Sequence, residues 1–168
     1  MSYNLIAKSV ALLVLGVGVN GGIAAAQVSV GIQANWSSDT DLGVGIQTAL
    51  DLGAIVKGLE TVGSFHYFFP GTRHGAEASY RELNANLVYR INVQDHTVIP
   101  YVGTGFNVSY YSASVHVLDI DASGSEILNG LNVLGGLIFD LGRFKPFIEG
   151  RVKTGDSTQF VASAGLRF

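Results

Sequence analysis

The chain of 168 residues contains no cysteine, one methionine, one tryptophan, three prolines and only 14% charged residues. Without cysteine it has no disulfide framework, no thiolate metal site, no thiol nucleophile and no lipid attachment through sulfur. A net charge of −3 lacks the basic excess that nucleic-acid binding leaves, so no nucleic-acid partner is expected. Disorder is excluded, because 48% of the residues are apolar and few are charged. Soluble domains carry about 25% charge, so the chain either has an unusually greasy interior or an exterior that does not meet water. What it has in quantity is glycine, 22 residues of it. The length predicts one domain.

The first 26 residues read as a secretory signal peptide. Lys8 supplies the positive start, Val10 to Val19 the apolar stretch, and Ala24, Ala25 and Ala26 the small-residue exit before Gln27. That stretch is too short for a spanning helix, which takes about 20 residues. An ordinary N-terminal helix is disfavoured by Gly16, Gly18, Gly21 and Gly22. Cleavage between Ala26 and Gln27 leaves 142 residues, 27–168, with a net charge of −4 once Lys8 is lost. No later segment is a continuous apolar run long enough to cross a membrane as a helix.

From Gln27 onward the pattern alternates with period two, the signature of strands. Val28, Val30, Ile32, Ala34 and Trp36 oppose Ser29, Gly31, Gln33 and Asn35 in the first segment. Leu42, Val44, Ile46 and Leu50 oppose Gly43, Gly45, Gln47 and Asp51 in the second. The third, about Leu59 to Phe69, sets Phe65, Tyr67 and Phe69 against Glu60, Ser64 and His66. In the fourth, Leu83, Ala85, Leu87, Tyr89 and Ile91 oppose Glu82, Asn84, Asn86, Val88 and Arg90. The fifth sets Val102, Thr104, Phe106 and Val108 against Tyr101, Gly103, Gly105 and Asn107, and the sixth Leu131, Val133 and Leu137 against Gly130, Asn132 and Gly136. Ile148 and Val152 oppose Glu149, Arg151 and Lys153 in the seventh. The last sets Phe160, Ala162, Ala164, Leu166 and Phe168 against Gln159, Val161, Ser163, Gly165 and Arg167.

Eight segments of about ten residues result, the length of a tilted membrane-spanning strand. Their connections alternate. Polar stretches at 37–40, 70–79, 112–126 and 154–158 read as the loops of one end, and tighter turns near Gly53–Gly58, Asn92–Thr97 and Asp140–Lys145 as those of the other. A faint repeat joins Ile99-Pro100-Tyr101-Val102 to Lys145-Pro146-Phe147-Ile148, 46 residues apart, with proline at the strand start where it need not donate to the ladder.

The polar face carries Glu82, Arg90, Glu149, Arg151, Lys153 and Arg167, and with Asp51 and Glu60 the acids and bases balance at four each. Balance is what a confined interior demands, since an unpaired buried charge is costly. The opposite face is apolar, with Trp36, Tyr67 and Tyr110 near one end of the segments and Tyr89 near the other. That resembles the aromatic girdles of membrane interfaces; packing in a soluble sandwich core is the alternative. The predicted fold is all-β, an eight-stranded antiparallel up-and-down transmembrane β-barrel with its polar face inward.

The closing Gly165-Leu166-Arg167-Phe168, together with Leu83-Asn84-Ala85-Asn86-Leu87-Val88-Tyr89-Arg90 and Pro100-Tyr101-Val102-Gly103-Thr104-Gly105, resembles small bacterial outer-membrane barrels of the OmpA/OmpX type. The resemblance implies residence in a Gram-negative outer membrane among phospholipid and lipopolysaccharide. It also implies recognition of Phe168 by the barrel assembly machinery. It implies no universal active site, no cofactor and a monomer. Because the chain stops at Phe168, the peptidoglycan-binding domain of some relatives, and with it a wall-tethering role, is not expected.

Catalytic signatures are absent: no phosphate-binding loop, zinc-protease motif, nucleophile elbow or calcium loop occurs. His116, Asp119 and Asp121 offer a divalent-cation site, and Arg73 and His74 a lipid-phosphate contact, but solvated loop charge accounts for both sets. Ser112, Ser114 and His116 share one parity near the rim, as a lipid A-modifying barrel enzyme would need, without a recognisable motif. A pore is the third class. Eight strands leave an interior that side chains can fill, so Glu82, Arg90, Glu149 and Arg151 are expected to plug it. A non-enzymatic structural or surface-contact role, through 70–79 and 112–126, is therefore expected.

Overall fold

The structure is a computed structural model that describes residues 27–168, except 74–75, 94–96, 118–119 and 156–157; the side chains of 70–78 and 113–124 are also outside the described set. The signal-peptide reading, including Ala24 and Ala26, therefore lies outside the described residues. Among those described, the chain forms eight strands and no helix: β1 Val28–Ser37, β2 Asp41–Asp51, β3 Leu59–Arg73, β4 Ala76–Arg90, β5 Val98–Val117, β6 Ile120–Phe139, β7 Lys145–Thr154 and β8 Gln159–Arg167. Each pairs antiparallel with its sequence neighbours and β8 closes on β1.

Closure has a measurable stagger. Paired residues lead from Asp51 through Glu60, Val88, Gly103, Leu134, Arg151, Val161 and Ser37 back to β2 at Asp41, an offset of ten residues. An offset of that size over eight strands tilts them by about 40–45° from the barrel axis. It also fixes which side chains meet inside.

The alternation resolves as the sequence requires, with the apolar face outward. Val30, Ile32, Val44, Ile46, Leu87, Val102, Phe106, Leu131 and Val133 are exposed on the outer wall, Phe106 to 68%. The buried residues are mostly polar: Gln33, Asn35, Gln47, Glu60, His66, Glu82, Asn84, Asn86, Asn107, Asn132, Arg151, Lys153 and Arg167. A soluble sandwich core is overturned by this inversion, because Trp36, Tyr89 and Tyr110 point outward rather than into a core.

Among the described residues the interior also holds two apolar clusters, a small one of Phe68, Tyr80 and Val161 and a larger layer of Ala49, Val62, Val88, Tyr101, Leu134, Ile138 and Phe147. The two large rings of that layer, Tyr101 and Phe147, fit because glycine stands opposite them. A Cβ on Gly136 would lie 2.6 Å from the Tyr101 ring, and one on Gly165 2.5 Å from that of Phe147. The 46-residue repeat thus places two equivalent rings in the lumen, each directly after a proline, Pro100 third in β5 and Pro146 second in β7.

One expectation fails. The stretches at 70–79 and 112–126 are not long loops but the outer parts of hairpins. β3 and β4 stay paired to Arg73↔Ala76, and β5 and β6 to Val117↔Ile120. β5 and β6 are 20 residues each, against 10 and 9 for β7 and β8. At about 3.3 Å per residue they run about 65 Å, far beyond what a bilayer needs. Alternation runs on with the pairing, Ala113, Val115 and Val117 against Ser112, Ser114 and His116, inside a stretch otherwise of loop composition.

Candidate functional site

Chemistry-bearing side chains converge in the lumen. The connections 52–58, 91–97 and 140–144 are the longer set and not the tighter one, because the strands at the other end stay paired almost to their tips. At this end Arg90 on β4 donates to Asp51 Oδ2 at 2.6 Å and approaches Glu60 Oε1 at 3.1 Å. Glu60 also receives Arg167 Nη1 at 3.3 Å, and Arg167 Nη2 donates to Gln47 Oε1 at 3.4 Å. The Arg167 guanidinium lies 5.2 Å from the Phe147 ring centroid and 5.9 Å from that of Tyr101. Both distances fall within the reach of cation–π attraction.

Tyr101 links this group to the next, donating its hydroxyl to Glu149 Oε2 at 2.9 Å. Glu149 accepts from Arg151 Nη2 at 2.7 Å, and Arg151 Nη1 reaches Glu82 Oε1 at 3.3 Å. Glu82 also takes Lys153, which in turn donates to Tyr80 Oη at 2.7 Å and Gln159 Oε1 at 2.5 Å. Glu82 is 1% exposed and Arg151 2%, so this is a desolvated network and not surface charge. His66 completes it, with Nδ1 at 3.6 Å from Glu82 Oε1 and Nε2 at 3.0 Å from Gln33 Nε2.

A neutral network stands beside the charged one. Asn132 donates through Nδ2 to Asn84 Oδ1 at 2.8 Å and Asn86 Oδ1 at 2.9 Å, and accepts from Asn107 Nδ2 at 2.8 Å. One carboxamide thereby ties β4, β5 and β6 together across the lumen. A polar group buried without such partners would cost free energy.

The structure brings Glu82, Glu149, Arg151 and Lys153 into one chain of contacts. Arg90 and Arg167 fall into a second group around Asp51 and Glu60, joined to the first through Tyr101. Phe168 sits outside the lumen, 48% exposed, its ring 5.7 Å from Phe144 in an edge-to-face pair. The ladder extends to it, since its N–H donates to Val30 O at 2.8 Å. The side chains of Ser114, His116, Arg73 and His74, and all of Asp119, lie outside the described residues; the β5–β6 register sets His116 opposite Asp121. Among the described residues no three His, Asp or Glu side chains are grouped to hold a metal ion.

Residue reading missed the roles of Tyr80, His66, Gln159 and the two lumen rings. The proline-led repeat was the available signal for Tyr101 and Phe147. Gln159 stands directly opposite Lys153 in the β7–β8 hairpin, whereas nothing local marks Tyr80, which reaches Lys153 across 73 positions.

No family model matches the chain and no curated protein matches it by sequence. Solved structures do match in shape. The N-terminal β-barrel domain of Pseudomonas aeruginosa OprF is 16% identical with a TM-score of 0.63, covering 86% of this chain and 98% of that one. Neisserial surface protein A is 18% identical with a TM-score of 0.61, covering 83% and 94%. A major outer membrane protein from Thermus thermophilus is 12% identical with a TM-score of 0.66, covering 86% and 99%. At such identities the likeness concerns the fold, and the fold is that of eight-stranded outer-membrane β-barrels.

Proposed function

We propose that the chain is an integral outer-membrane barrel with a plugged lumen, serving envelope structure and surface contact rather than catalysis or solute passage. The observation that carries this is the inversion of the wall: apolar side chains from all eight strands face outward while four acids and four bases pair inside. In water that outer band would be an aggregation surface; in hydrocarbon it is the solvated face. The 52–58, 91–97 and 140–144 connections then face the periplasm, and the β3–β6 extension projects from the cell as the contact element. Phe168, at the end of the last ladder, is the residue offered to the assembly machinery.

The test is fractionation followed by gel mobility with and without boiling. The barrel is expected in the outer-membrane fraction with a heat-dependent shift, and a soluble, heat-insensitive protein would overturn the reading. Planar-bilayer recording checks the plug: steady nanosiemens-scale conductance would overturn it. The outer-membrane enzyme PagL shares the fold at a TM-score of 0.51 and 14% identity, and unchanged acyl chains in lipid A exposed to the purified protein are expected here.

A further inference from the structure

We infer that the turn end of the barrel carries a binding site for anionic phospholipid head groups, built around Lys57 and repeated in simpler form around Arg143. The inference rests on the membrane reading above. Two turns at this end share one design. The β2–β3 turn exposes Ile55 and Val56, 71% and 46%, beside Lys57; the β6–β7 turn exposes Leu141 and Phe144, 64% and 49%, beside Arg143. Apolar side chains next to a cation suit the boundary between acyl chains and phosphates, where the stem and ring bury and the charge stays at the head group.

Neither Lys57 nor Arg143 forms an ion pair with any described residue, whereas their neighbours are spoken for. Lys145 is held by Asp140 at 3.1 Å, and Arg90 by Asp51 and Glu60. Lys57 also borders a groove of about 290 Å³ walled by Tyr89, Ile91, Asn92 and Ile99. The groove's position is fixed by the backbone. Gly58, at φ 86°, accepts the Arg90 N–H through its carbonyl at 2.7 Å, which pins the turn against the end of β4. Tyr89, 46% exposed, marks the edge of the apolar band at the same level.

Charge is distributed accordingly. The turn-end connections carry Lys57, Arg143 and Lys145 against Asp95 and Asp140, while the hairpin end carries Asp39, Asp41, Glu77, Asp119, Asp121, Glu126 and Asp156 against Arg73 and Arg81. A negatively charged head group is thus favoured at one end and disfavoured at the other.

The full chain, inserted in vesicles of phosphatidylcholine mixed with phosphatidylglycerol and extracted in mild detergent, provides the test through native mass spectrometry of the lipids it retains. Phosphatidylglycerol is expected to be enriched over its bulk share by about fivefold for each free cation. Lys57→Gln with Arg143→Gln should abolish the enrichment, and Lys57→Arg should keep it. Retention in the bulk ratio, or unchanged selectivity in the double variant, overturns the site. Loss of selectivity on adding excess inorganic phosphate also overturns it, because the groove would then take the free ion. Heat-dependent mobility is read on the same samples: failure to insert removes the membrane reading and this inference together, whereas insertion without selectivity removes this inference alone.

Discussion

β4 presents two environments one residue apart. Glu82, Asn84 and Asn86 are buried at 1%, 5% and 3% exposure, while Leu83, Leu87 and Tyr89 between and beyond them are 42%, 48% and 46% exposed. In a soluble barrel the same alternation would be turned inside out. The difference teaches that period two records only that a strand separates two media; which medium lies inside follows from where charge can be paired. Here the lumen pairs it and the outer wall offers nothing to pair with.

The sharpest way to break the comparison is to remove a charge from the inside. Glu82→Gln leaves Arg151 and Lys153 short of their shared partner in a desolvated site, and is expected to destabilise the barrel by about 3–5 kcal/mol. Urea or guanidinium unfolding in vesicles measures it. A midpoint equal to that of the unaltered protein would mean that the lumen charges are solvated and unpaired.

The converse experiment adds a charge outside. Val133→Arg, at a position 61% exposed on the outer wall of β6, should cost about 2–4 kcal/mol if that wall meets hydrocarbon. If it meets water the cost should vanish, so the same unfolding assay separates the two media directly.

Between the faces lies packing. Gly136→Ala places a Cβ 2.3 Å from the Ile148 carbonyl oxygen and 2.6 Å from the Tyr101 ring, and is expected to cost about 1–3 kcal/mol. Ala162→Gly, on the outward face, should cost less than Gly136→Ala. A reversed order in their unfolding midpoints would contradict the crowding of the lumen.

The smallest effect belongs to Asp140, at neither face. Bonds from Lys145 and the Gly142 N–H hold its carboxyl below the ordinary carboxylate range. A lowered folded-state value stabilises the native state above the unfolded carboxylate value and loses that contribution as pH falls through the folded one. The group is well solvated, so Asp140→Asn should reduce stability by under about 0.5 kcal/mol at neutral pH and by nothing at strongly acid pH. A large, pH-independent loss would show the turn to be a rigid part of the wall.

Much of this was legible in residue order, for definite reasons. The spanning strands were readable because lipid on one side and a packed lumen on the other impose period two at every residue, as in Phe160 to Phe168. The outer halves of β5 and β6 were not, because Ser112, Ser114, Asp119, Asp121, Ser123, Gly124 and Ser125 give 112–126 the composition of a loop, although Ala113, Val115 and Val117 alternate within it. The candidate lumen residues were identifiable one at a time from parity. Their partners were not: Glu82 and Arg151 meet across 69 positions, and Ser37 and Gln159 across 122.

By itself, then, the order of residues determined which side chains share a face, how many strands cross, and that four acids and four bases must be housed together, since alternation and composition are local properties. Tertiary structure alone decided that Lys153 meets Glu82 and Tyr80, that Arg167 lies over two rings, and that Lys57 borders a groove without an ion pair to any described residue. Those pairings depend on the ten-residue stagger at closure, which sums the register of every strand pair and is visible in no single one.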